Sequence, residues 1–268
     1  MKALFCVNIP SMKLAILFWF YKEPEICENR LQLLKKHNPN LKIFGLYGGK
    51  YQEEVFYREK LGKYLDDFFT TKSKDEKRKW IHGDLSILEW FNKRGMSLEW
   101  DSIVVIQWDM LVLDSLLKLF QGLGKDQIYF SGLRRLNEEI ESRWSWTSPE
   151  YNHRKNYLNF KKYIKDQYNY GEQLMCCLYI LEVLPKIFLE KFLTVQNREI
   201  GMLEYKDPTY AKIFGLKFFK KDFGVLWFQN VPKPLNAHPK EIETKYIQEE
   251  LAKQNGWRIF HPYYKMWD

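Results

Sequence analysis

The first 120 residues alternate uninterrupted apolar runs with amphipathic stretches, and turn residues separate them. "LAILFWF" (14–20) has the length and composition of a strand buried on both faces. The following "KEPEICENRLQLLKKHNPN" predicts a helix. Pro24 suits its first turn, Glu23, Glu25 and Glu28 its positive end, Lys35 and Lys36 its negative end, and Asn38-Pro39 stops it. "LKIFGLYGG" then reads as a second strand, which completes a β-α-β unit and implies a parallel sheet. A helix from Glu53 to about Lys63, a short strand around "DDFFTT", and a helix through "KWIHGDLSILEWFNKRG" follow. In the last of these Ile81, Leu85, Leu88 and Phe91 recur at helical spacing, and Gly95 ends it. "SIVVIQ" (102–107) is the fourth strand, with a helix expected after it in "LVLDSLLKL". The pattern is that of a doubly wound sheet, which binds ligands at the carboxyl ends of its strands.

The second half is less regular. "DQIYFSGL" reads as a strand, and "RWSWTSPEYNHRKNYLNFKKYIKDQYNYGEQ" as an aromatic loop and a helix. "LMCCLYILEVLP" reads as an apolar strand with a helix after it, "EYKDPTYAKIFGLKFF" as a helix then a strand, and the tail as a polar helix with an aromatic end. The chain shows no repeat, low-complexity tract or linker. Met12-Lys13 directly precedes the first strand, so residues 1–11 are an expected extension. The change of character near residue 125 divides residues 12–124 from 125–268 within one continuous domain.

A chain of 268 residues with 46% apolar content can bury a sizeable core. Aromatic residues make up 17%, enough to line a groove as well as fill the interior. The net charge of +8 favours acidic partners such as nucleic acid, anionic headgroups or a phosphorylated small molecule. Its cations are interspersed with Asp and Glu, and neither zinc-finger spacing nor an RNA-binding signature is present, so nucleic acid is not expected. The densest basic run, "KSKDEKRKW" (72–80), reads as a solvated loop entering a helix. Cys6, Cys27, Cys176 and Cys177 form no CxxC unit or disulfide framework, which suggests a reducing compartment. "LAILFWFY" is too short to cross a bilayer, and the expectation is a cytoplasmic protein, with peripheral contact at a membrane surface left open.

Within "SIVVIQWDMLVLDSL" a carboxylate, Asp109, falls where a central strand should end, while Met110, Leu111, Val112 and Leu113 do not resemble a solvated turn. A carboxylate there can hold a divalent cation that neutralises a diphosphate; the structural alternative is a helix cap or a loop residue. With "HGDLSILEWFNKRG" in the preceding helix position and "SIVVIQWD" as the motif strand, the organisation of residues 14–120 resembles the nucleotide-sugar glycosyltransferases of GT-A fold. The resemblance implies a Rossmann-like, mostly parallel central sheet flanked by helices, with a smaller acceptor-side lobe. It also implies a nucleotide-diphosphate sugar, a glycan or lipid-linked acceptor, and Mn²⁺ or Mg²⁺ as cofactor. The D-x-D motif of that family is here Gln107-Trp108-Asp109, so an amide replaces the first acid. Gln107 can still bond a ribose but is a poor cation ligand.

By the same resemblance, Glu204 before a helix closed by Gly215 is the expected base of an inverting transfer, with Asp207 as substitute and Glu172 in "YNYGEQ" as a further acid. A helix cap or a solvated acid is the plain alternative for each. His261 in "RIFHPYYK" is expected as a further, third metal ligand, with His238 as rival and a turn residue as the alternative. Tyr21 and Lys22 follow the first strand and are expected at the base and ribose. His82 and Asp84 are expected at a helix start that favours anions. Trp144 and Trp146 are candidates for sugar stacking or for a core clasp. Two other functions fit the same elements: a nucleotidyltransferase making nucleotide sugars, for which "FWFYKEPE" lacks the glycine-rich loop, and a catalytically inactive glycan-binding module, which Gln107 keeps open.

Overall fold

The computed structural model describes residues 12–72, 76–228 and 231–268; the expected extension 1–11 and its Cys6 lie outside them. Seven strands form the central sheet: β1 (Leu14–Phe20), β2 (Lys42–Tyr47), β3 (Asp67–Thr70), β4 (Ser102–Gln107), β5 (Gln127–Phe130), β6 (Glu182–Pro185) and β7 (Lys217–Phe218). Their order is β7-β5-β6-β4-β1-β2-β3, parallel except for β6, which runs antiparallel to both β4 and β5. Helices α1 (Pro24–His37), α2 (Glu54–Leu61), α3 (Glu76–Lys93), α4 (Arg154–Tyr168), α5 (Lys186–Leu193), α6 (Leu203–Ile213) and α7 (Thr244–Ala252) surround it. This is the Rossmann-like, mostly parallel sheet flanked by helices that a GT-A type fold requires, and it runs unbroken across residue 125.

The apolar runs of β1 and β4 are explained by their two covered faces. Ala15, Leu17, Trp19, Ile103 and Val105 face a core shared with α3, α4 and α5, whereas Leu14, Ile16, Phe18, Val104 and Ile106 face one shared with α1 and α2. Each such Leu, Ile, Val or Phe side chain withdrawn from water contributes roughly 1.5–3 kcal/mol. Gly83 lets α3 lie against β1, because a Cβ there would meet Trp19 at 2.2 Å. The α3 backbone kinks one residue earlier, at His82 (φ −136°, ψ 34°).

Three expectations are corrected. "LVLDSLLKL" is not a regular helix: Leu111–Val112 pairs antiparallel with Ile259–Phe260 from the carboxyl-terminal segment, and only Leu116–Leu119 is helical. Pairing with a distant strand satisfies this backbone in place of local helical bonds. "LMCCLYILEVLP" is not one strand, since Met175–Cys176 pairs with Arg134–Arg135 and only Glu182–Pro185 joins the sheet. Between them the hydroxyl and backbone of Ser131 bond Leu178, Ile180 and Leu181, which holds a bend. Finally, the basic run 72–80 is not wholly solvated: Lys79 is buried with its ammonium 4.7 Å from the centre of the Tyr21 ring.

Candidate functional site

Asp109 lies two residues past β4, in a turn closed by the amide of Met110 on the carbonyl of Gln107. The carboxyl-terminal segment meets it there. The Tyr263 amide bonds the Asp109 carbonyl at 2.9 Å, and His261 Nε2 stands 3.4 Å from Asp109 Oδ1. That segment is fastened from beneath by α1. Arg30, 1% exposed, donates to the carbonyls of Tyr263 and Lys265, while Asn29 bonds Trp267 at both its amide and its carbonyl. His261 Nδ1 lies 2.8 Å from the Asn236 carbonyl, so Nδ1 carries a proton toward that carbonyl and Nε2 faces Asp109. Burial opposes a charge on this imidazole, but the carboxylate of Asp109 and the bond to Asn236 outweigh it and raise the pKa above its ordinary value.

These two donors fit a divalent cation. Asp109 Oδ1 is buried and has no hydrogen-bond partner, and carboxylate with imidazole is a usual pairing for Mn²⁺. The protein supplies no third acid, histidine or cysteine close enough to complete a set among the described residues, so remaining positions would fall to ligand or solvent oxygens. Gln107 does not join them: its amide donates to the Tyr179 carbonyl at 3.0 Å.

Trp108 connects this pair to a neighbouring cavity. Its ring stacks on Tyr264 at 5.7 Å, meets Tyr21 edge-on at 6.0 Å, and carries the Lys22 ammonium 4.7 Å from its centre. Tyr21, Lys22, Lys50, Tyr51, Lys79 and Trp80 line the cavity, about 840 Å³ in volume, at the carboxyl ends of β1 and β2. Glu23, in the left-handed region at φ 55°, turns the chain from this wall into α1. Aromatic faces with three lysines suit a planar base and an anionic group, and the volume lies in the ordinary range for a small-molecule site. Lys50, Lys79 and Trp80 escaped the sequence reading because they come from other elements that only the fold brings beside Tyr21.

Across Gln107, the amide of Tyr179 donates to Glu204 Oε1 at 2.8 Å. Glu204 is in the first turn of α6, not ahead of the helix. Pro208, four residues on, has no amide to give the Glu204 carbonyl, and that carbonyl instead accepts from the Cys177 amide at 2.8 Å. Burial pushes the Glu204 carboxyl from 4.5 up to about 7, against the opposing bonds from the Tyr179 amide and the Trp146 side chain. It is 8% exposed.

Behind Glu204 lies a buried polar cluster. Lys206, in α6, forms an ion pair of 2.7 Å with Asp84, in α3, and both side chains are almost wholly buried. Asp84 therefore does not reach a ligand at a helix start, as the sequence suggested; it is bound to Lys206. Burial and the charge of Asp84 push the Asp207 carboxyl well above the usual range. Glu182 of β6, 0% exposed and with neither carboxyl oxygen bonded, is also raised by burial and by Glu204.

The other candidates fall apart from this constellation. Glu172 is exposed, and no described contact joins it to Asp109, His261 or Glu204. Trp144 is buried between Tyr205 and Trp227, as a core clasp would be, whereas Trp146 is half-buried beside Glu204. His82 is half-buried at the kink of α3, and His238 sits in an exposed turn with its amide on Asn236 Oδ1. Among the described residues no helix is long and apolar enough to cross a membrane.

No protein-family model matches the chain, and no curated protein matches it. Among solved structures it is similar to a cytidylyltransferase from Leptospira borgpetersenii serovar Hardjo-bovis (strain JB197), with 13% identity and a TM-score of 0.42 over 79% of this chain and 76% of that one. It is also similar to the apo structure of the bifunctional glycosyltransferase WbbM, with 12% identity and a TM-score of 0.45 over 99% of this chain and 47% of that one. Neither likeness bears on function.

Proposed function

We propose that the chain is a glycosyltransferase that moves a sugar from a nucleotide-diphosphate donor to an acceptor hydroxyl with inversion. The observation that carries this reading is the approach of His261 Nε2 to the buried Asp109 Oδ1 at 3.4 Å, joined through Trp108 to the lysine-lined cavity. In this reading the base and ribose lie against Tyr21 and Tyr51, and Lys22, Lys50 and Lys79 offset phosphate charge. Asp109 and His261 would hold a divalent cation, which would stabilise the departing diphosphate.

Glu204 acts as base. A carboxyl raised to about 7 is half ionised near neutral pH and accepts a proton more readily than an ordinary one. It takes the proton of the acceptor hydroxyl as that oxygen bonds to the anomeric carbon. The bond from that carbon to the diphosphate oxygen breaks, and the nucleoside diphosphate leaves with the electron pair. Gln107 acts as a brace, since its bond to Tyr179 ties the metal side to the segment on which Glu204 is anchored.

The test is release of nucleoside diphosphate across a panel of nucleotide sugars and acceptors. Release by the native chain, lost in Glu204→Gln while nucleotide binding persists, is the expected result. No release with any pair, or full activity in Glu204→Gln, overturns the assignment.

A further inference from the structure

Five cations line a second cleft, of about 730 Å³, away from the lysine-lined cavity: Arg134, Arg135, Lys220, Lys233 and Lys221, whose ammonium donates to the Leu119 carbonyl. Among the described residues none of them forms an ion pair with a carboxylate, although Lys42, Arg58, Arg94 and Lys118 elsewhere on the surface each have one. The one acid lining the cleft, Asp222, has Oδ1 bonded to the Gly224 amide at 2.7 Å. Like charges gathered without counter-charges repel one another, and an anionic ligand relieves that repulsion.

The cleft is also shaped in advance. Arg134 lies with its guanidinium 4.5 Å from the centre of the Trp227 ring, and the Trp227 indole donates to the Gly132 carbonyl at 3.0 Å. Gly132 is at φ +65°, and a Cβ there would come within 2.6 Å of Trp227 Nε1, so this turn admits the indole only as glycine. Arg134 is exposed, so its guanidinium is open to a ligand, and partial burial lowers its pKa from the ordinary value.

The position ties the cleft to the candidate site. Met175, in its wall, donates its amide to the hydroxyl of Thr209 in α6, the helix that carries Glu204. Val225, in the opposite wall, belongs to a strand pair with Leu235–Asn236, and the Asn236 carbonyl fixes His261. A concave pocket with an indole fits a sugar ring bearing acidic groups better than a membrane, which calls for a protruding apolar face, or a nucleic acid, which calls for a long groove.

We propose that this basic cleft binds the acceptor, and that the acceptor is an anionic glycan, a sugar chain bearing carboxylate or phosphate groups. The proposal rests on the reading of the chain as a glycosyltransferase only for the word acceptor; anion binding is tested directly. Calorimetry on the full chain uses tetragalacturonate for carboxylate, glucose 6-phosphate for phosphate, and a neutral tetraglucose. The tetranucleotide of uridine and vesicles containing phosphatidylglycerol are the competing ligands. At least one acidic sugar should bind, more weakly as salt rises, while the neutral chain does not. Arg134→Gln with Lys220→Gln should weaken that binding roughly tenfold or more, the scale of one lost charge-assisted bond. Arg135→Gln alone serves if the double variant fails to fold, and nucleoside diphosphate affinity, read in parallel, should hold in both.

Failure of both acidic sugars to bind, equal binding by the variants, or stronger competition from vesicles or tetranucleotide overturns the proposal. If acidic sugars bind but no nucleotide sugar is consumed, the cleft stands as an anion site and the transferase reading falls. If nucleoside diphosphate is released only with neutral acceptors, the reverse holds.

Discussion

Replacing Glu204 by glutamine should make the protein more stable at alkaline pH, and the pH window follows from the raised pKa. A carboxyl whose folded pKa exceeds its unfolded one binds a proton more tightly when folded. Its contribution is present in full below about 4.5 and is lost as pH rises through about 7. The difference between those values corresponds to roughly 3 kcal/mol at pH 8.5. Glutamine keeps the shape and can still accept the Tyr179 amide, but it carries no charge to desolvate. Urea unfolding of both proteins between pH 5 and 8.5 reads the effect. The curves should nearly meet at pH 5 and separate by a few kcal/mol at pH 8.5, with the variant above. Asp207, also pushed up by burial, is common to both proteins and cancels in the comparison, whereas Glu182, raised in part by Glu204, is relieved in the variant and widens the separation in the same direction. Parallel curves at all pH values would refute the argument, because they would mean that Glu204 is not held in a water-poor setting. In a transfer assay the same variant should lose about 100-fold or more in kcat, the usual scale for a general base.

Lys206→Met should destabilise by roughly 3–5 kcal/mol, because it strands the Asp84 charge inside the protein, and the double variant with Asp84→Leu should recover most of the loss. Urea midpoints of the two variants check this. Gly83→Ala should cost about 1–3 kcal/mol by driving a methyl into Trp19, visible as a lower thermal midpoint. Trp108→Ala should weaken nucleoside diphosphate binding, since it removes the ring that joins Lys22, Tyr21 and Tyr264, and should also lower the midpoint of unfolding, since that ring is 2% exposed and its loss costs about 3–5 kcal/mol; binding is read well below the lowered midpoint.

The amino-terminal half was legible because its strands are buried on both faces and its helices amphipathic. β1, α1, β2 and β4 all lie where the apolar runs and turn residues placed them, and Asp109 falls just beyond the strand that announces it. The second half resisted the same reading because β7 and the outlying strand pairs are only two residues long, too short to show a period. Helix α6 misled in another way. "LEYKDPTYAKI" has the polarity of a surface helix, yet Leu203 through Ala211 are buried, and Lys206 is satisfied by an acid 122 positions earlier, Asp84. The role of Gln107 was equally hidden, since its partner is a backbone carbonyl in a bend that no periodicity marks.

The most direct measurement is calorimetric titration of the chain with uridine, guanosine, cytidine and thymidine diphosphates, with and without Mn²⁺, in native, Asp109→Ala and His261→Ala proteins. The account predicts that at least one nucleotide binds the native protein, that Mn²⁺ tightens it about tenfold or more, and that either variant loses this gain while remaining folded. Absence of binding by all four nucleotides, or a gain from Mn²⁺ that survives both substitutions, would contradict it.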